Sequence, residues 1–220
     1  MKTLLLVFGV LLLVACDDNL ENDSDTPVEN EINSSEEVDL SDGLPKHMKI
    51  SQEFDMHADF NLPEDLRELE ENAEEIVKVS PIEIIELGKY INSKEFYDST
   101  LTEVEILETY SGGLKEGQTV TVSEPYYLYN NEVETIENYV PMDMKSDYIL
   151  FLYKNNSGTY TISSLGYGKY NLNISSISEK PIQTFNTVNE IMEFGFIAEN
   201  DEEAIHYNEL RNEVISEYAN

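Results

Sequence analysis

The amino-acid sequence predicts an α+β domain that is mainly β: a small antiparallel β-barrel or sandwich, preceded by one helix and followed by an amphipathic C-terminal helix. Three observations carry this expectation. Residues 101–110 and 119–124 alternate apolar and polar side chains around the glycine-rich stretch SGGLKEGQ, the pattern of two half-buried strands joined by a turn. Residues 148–153, YILFLY, are continuously apolar, as in a strand covered on both faces. Residues 201–218 return to helical spacing through Ala204, Tyr207, Leu210, Val214 and Tyr218.

The chain begins MKTLLLVFGVLLLVAC, with Lys2 ahead of an apolar run over residues 4–14 and then the small Ala15. This is the order of a secretory leader, and the run is too short for a membrane-spanning helix, which needs about 20 residues. Leu13, Val14, Ala15 and Cys16 resemble the lipobox of bacterial lipoproteins. The resemblance implies cleavage before Cys16 and a diacylglyceryl group on its sulfur. Cys16 is the only cysteine, so no internal disulfide forms and the domain must be held by its core.

Residues 1–15 are thus expected to be the leader, 16–45 the lipidated cysteine with a spacer, and 46–220 a single β-rich extracytoplasmic domain. Residues 17–45 hold eleven acidic residues and no basic or aromatic one, a composition that buries too little apolar surface to order itself. As a flexible coil such a segment spans roughly 30 Å, and self-repulsion lengthens it.

A helix is expected from Asn61, where NLPE sets a capping side chain three residues before Glu64 and Pro63 in the first turn. Its buried stripe would be Leu62, Leu66, Leu69, Ala73 and Ile76. The period then changes to two in IVKVSPIEIIEL (76–87), with Pro81 marking an edge or a bulge. In the 101–110 strand Val104 and Ile106 share one face, and Glu103 and Glu105 the other. Val120 and Val122 align in the next strand. Gly112, Gly113 and Gly117 supply the turn between the two. After YILFLY come the turn NNSG at 155–158, a strand aligning Tyr160 and Ile162, a turn at Gly166–Gly168, and KYNLNI aligning Tyr170, Leu172 and Ile174. A short helix is expected near 188–194.

The helix leading into IVKV, the strand ending in SGGLKEGQTVTV, the run YILFLY and the hairpin with GTYTI and GKYNL together resemble a group of uncharacterised Firmicute lipoproteins, small barrel-like modules carried behind a lipobox and an acidic spacer. The resemblance covers residues 65–172. It implies a barrel-like fold and a lipid anchor at the outer face of a Gram-positive cytoplasmic membrane, and it brings no activity or catalytic residue with it.

Formal net charge is −32, from 45 acidic and 13 basic residues. Phosphate backbones are bound by clustered lysine and arginine, so nucleic acid is not an expected partner. The charge leaves cationic peptides, divalent cations and basic protein surfaces as candidate ligands, with solubility as its plainest role. Catalytic motifs are missing: there is no GxSxG and no HExxH, and the three histidines, His47, His57 and His206, fall far apart. Paired carboxylates for a hydrolase cannot be singled out among so many acids; Glu103, Glu105, Glu132 and Glu134 read as solvent-facing strand residues. Asp23–Asp25 and residues 200–203 lack the glycine and closing glutamate of a calcium loop. His47 beside Met48, and Met56 beside His57, pair soft ligands as copper uses them, with no further cluster in support. Tyr126, Tyr127 and Tyr129 suggest a sugar platform or, more simply, strand packing.

The expectation is a lipid-anchored, non-enzymatic surface protein that binds a protein partner outside the membrane, with no cofactor. A carboxylate-dependent hydrolase and a calcium-binding surface protein are the alternatives. A two-lobed solute receptor is disfavoured because no repeated βαβ unit is present.

Overall fold

In a computed structural model, residues 40–52, 60–91 and 96–219 are described. Leu13, Val14, Ala15 and Cys16 of the expected lipobox, the Asp23–Asp25 run, and Met56 with His57 lie outside them. In chain order the elements are α1 (Leu66–Glu71), β1 (Glu75–Glu86), β2 (Tyr90–Ile91), β3 (Phe96–Tyr97), β4 (Thr100–Ser111), β5 (Thr119–Glu124), β6 (Tyr126–Tyr129) and β7 (Glu132–Thr135). They continue with β8 (Tyr148–Lys154), β9 (Tyr160–Ile162), β10 (Lys169–Asn171), β11 (Ile177–Ser178), α2 (Val188–Ile191), β12 (Phe196–Ile197) and α3 (Asp201–Tyr218).

The main sheet runs β1-β4-β5-β9-β8 and closes on itself where β8 returns to β1, pairing Glu75 with Leu152 through Val79 with Tyr148. The result is a closed barrel rather than a sandwich. All its pairings are antiparallel except β5 with β9. Five strands thus make up the closed barrel. β10 extends the β9 side of β8, after a 3₁₀ turn at Leu165–Gly168.

The apolar run of β8 explains the two-layer packing. Tyr148, Leu150 and Leu152 point into the barrel with Val77, Val79, Val104, Ile106 and Val122. Ile149 and Phe151 point outward and are covered by α3 through Tyr207, Leu210 and Val214. Every residue from Tyr148 to Leu152 is therefore buried. α3 itself occupies the expected residues, and Ala204, Tyr207, Leu210 and Val214 are its buried stripe.

The β4–β5 turn depends on one glycine in particular. Gly112 has φ +102°, and a Cβ there would lie 2.0 Å from a Glu75 carboxylate oxygen. That carboxylate accepts from the Gly113 and Leu114 N–H groups at 2.8 and 3.0 Å, so it cannot yield to a side chain.

Several expectations are corrected. The first helix starts at Leu66, not near Asn61: Asp65 accepts from the Glu68 N–H at 2.8 Å, while the Glu68 carboxylate turns back to the Glu64 N–H at 2.7 Å and Asn61 Nδ2 at 3.1 Å. The N-cap simply lies four residues further on, at Asp65. Leu62 is left 50 % exposed, and Ile76 belongs to β1, where it pairs with Phe151 and Ser111. KYNLNI does not run on as a strand, because the Asn171 side chain accepts from the Asn173 and Ile174 N–H groups, both at 2.8 Å, and turns the chain. Glu134 is buried rather than solvent-facing, because residues 49–51 run beside β7 and cover it through the Ile50–Val133 bridge. Pro81 sits at a register break in β1, beyond the last residue paired with β8. Leu44, within the expected spacer, is buried in the barrel core.

Candidate functional site

Two places concentrate polar chemistry, one sealed in the barrel and one open on the surface. The sealed one is built on Glu124, the last residue of β5, whose side chain is fully buried. Thr102 Oγ1 donates to one carboxylate oxygen at 2.5 Å, and Tyr139 OH and the Met142 N–H donate to the other at 2.9 and 2.8 Å. Burial pushes the Glu124 carboxyl upward, and these donors and the Lys169 charge pull against it.

Lys169, at the start of β10, is buried too and donates to the Val140 carbonyl. Its ammonium lies 4.5 Å from the Tyr139 ring centre and 5.5 Å from that of Tyr148. Burial lowers its pKa to about 8, against an opposing pull from Glu124. Tyr148 OH accepts from the Asp143 N–H at 2.6 Å and from Asn171 Nδ2 at 3.1 Å. The space beside Lys169 has no room for a water molecule. The cluster fastens the connection between β7 and β8, residues 139–143, to the barrel.

The open place is a groove of about 640 Å³ between residues 60–64, the 3₁₀ turn and the N-terminal half of α3. Its apolar lining includes Phe60, Leu62, Tyr167 and Ile205, with Leu62 50 % and Ile205 60 % exposed. Phe60 stacks on Tyr167 at 6.4 Å between ring centres, and His206 leans on the same ring at 5.7 Å. His206 Nε2 lies 2.8 Å from the Pro63 carbonyl, tying α3 to the segment ahead of α1.

Glu64, Glu137, Glu199, Glu202, Glu203 and Glu209 also line the groove, and among the described residues no lysine or arginine does. Glu203 is committed to the helix. Its carboxylate accepts from the Glu199 N–H at 2.5 Å and from Tyr167 OH at 3.2 Å, while Asn200 caps the Glu203 N–H at 3.0 Å. Burial raises the Glu203 carboxyl, and the phenol of Tyr167 is raised by burial and by Glu203. Residues 200–203, weighed as a calcium loop, thus form the helix cap. Among the described residues no three His, Asp or Glu side chains come close enough to hold a metal ion.

The other sequence candidates are dispersed. His47 is exposed, and Met48 packs against the barrel core. Tyr126 and Tyr127 are buried, so they pack rather than offer a platform. The outward residues of β4 and β5 include Glu103, Glu105, Thr119 and Thr121 but no cation, a wall with nothing to offer a phosphate backbone. Sequence reading missed Glu124, Lys169 and the groove. Glu124 carried a signal, since it falls on the inward face of TVTVSE with Val120 and Val122. The groove carried none, because it joins segments more than a hundred residues apart.

No family model, curated protein or solved structure matches this chain. Among the described residues no helix is long and apolar enough to cross a membrane.

Proposed function

We propose that this chain is a lipid-anchored surface protein of the Gram-positive type, held at Cys16 outside the cytoplasmic membrane, whose barrel domain is a non-enzymatic binding module. The observation that carries the binding reading is the open groove at α3, where large apolar side chains stay exposed inside a concave surface. Exposing such groups costs solubility, and contiguous apolar surface rimmed by polar groups is characteristic of interaction sites. A hydrolytic role is less well supported. Both oxygens of Glu203, the half-buried groove carboxylate, already accept hydrogen bonds that shape the helix end.

The test is cross-linking on intact cells with a photoreactive residue in place of Ile205, and a control in place of Ile82 on β1, which is also exposed. A discrete adduct from position 205 and none from 82 is expected. No adduct from 205 at native expression would overturn the binding reading.

A further inference from the structure

We propose that the groove takes a basic, amphipathic peptide segment of another protein, seating an apolar side chain against Leu62 and Ile205 while flanking lysines or arginines meet the glutamate rim. This deepens the binding reading above and rests on it. The groove has the size of a site for a few side chains, about 640 Å³. Its apolar floor favours a ligand with apolar groups, and its glutamate rim, with no basic residue among the described residues, selects against anions.

The charge also rejects the nearest alternative occupants. The chain's own residues 17–45 carry eleven acids and no base, and a second copy brings a net charge of −32. Either would set like charge against like charge. A bare metal ion is a poor match too, because among the described residues the carboxylates do not converge as a ligand set. Separated carboxylates around an apolar strip match separated cations around an apolar side chain. A peptide segment supplies that pattern.

The experiment uses the lipidated full-length protein in a zwitterionic detergent and measures binding of a short peptide alternating lysine and leucine. A lysine–serine peptide and a glutamate–leucine peptide serve as controls. The lysine–leucine peptide is expected to bind tightest, and more weakly as salt is raised. Joint replacement Glu64→Gln, Glu202→Gln and Glu209→Gln should weaken it about tenfold, in line with several exposed ion pairs. Ile205→Ser should weaken it about fivefold through lost apolar contact. Glu103→Gln with Glu105→Gln on the barrel wall should change it less than about twofold.

Equal losses from the groove and wall variants would mean diffuse attraction and overturn the proposal. So would equal binding of the lysine–serine peptide, or tighter binding of the glutamate–leucine peptide. The substituted groove side chains are all exposed, and on the barrel wall Glu105 is exposed and Glu103 half-buried with its carboxylate on the outward face, so loss of fold does not confound the comparison. If no peptide binds while position 205 still cross-links a partner on cells, the ligand class fails and the binding reading stands. If both fail, both are overturned.

Discussion

Lys169 shows how burial turns a surface residue type into a structural one. Its ammonium has the Val140 carbonyl as acceptor and two tyrosine rings nearby, with the Glu124 charge in the same interior. Removing an ammonium from water is costly, and burial lowers the Lys169 pKa to about 8 against the opposing pull of Glu124. The sign of the pH effect follows. The folded state releases this proton more readily than the unfolded chain, whose lysine titrates near 10.5, so its favourable contribution is present above 10.5 and lost as pH falls through about 8. Urea unfolding of the native protein and Lys169→Met, compared between pH 8 and 10.5, should show the native protein gaining on the variant as pH rises. The gain should be on the order of 3 kcal/mol. Parallel pH profiles would show that Lys169 does not titrate in this window.

At the scale of elements, α3 matters most because it covers the outward face of β8. Tyr207 is its central contact: buried, stacked on Phe196 at 3.9 Å and on Tyr170 at 5.5 Å, with its hydroxyl donating to the Lys169 carbonyl at 3.2 Å. Tyr207→Ala should cost about 3–5 kcal/mol in urea unfolding, as for other buried aromatics cut to alanine. Asn200→Ala, which removes the cap, should cost about 1 kcal/mol. Ile205→Ser, on the exposed side of the same helix, should stay within about 0.5 kcal/mol of the native protein. Comparable losses at Tyr207 and Ile205 would contradict the two-layer packing. The stripe of α3 was legible in the sequence because helical spacing over eighteen residues leaves one consistent apolar face. α1 was misplaced because two overlapping capping patterns, beginning at Asn61 and Asp65, compete locally. Asp65 is the residue whose carboxylate meets the free N–H.

The whole molecule joins an acidic chain to a compact barrel, and the lipid anchor is its proposed address. Replacing Cys16 by alanine should abolish palmitate labelling of the protein in growing cells and release it into the medium. Equal labelling of both forms would refute the anchor. The −32 charge favours solubility, since like charge sets copies against one another, and under the proposed reading it also favours cationic ligands at the groove.

By itself the sequence determined the mainly β class, the β4–β5 hairpin, the doubly covered β8 and the span of α3. These rest on periodicity and turn chemistry within one short segment. Only the tertiary structure decided barrel over sandwich, because closure depends on β8 meeting β1 across some seventy residues. It alone decided that Glu124 and Lys169 share one interior, and that Leu62 and Ile205 face a common groove. Local pattern records which face of an element avoids water. Which elements then meet is settled by packing the whole chain at once, and the groove is made there.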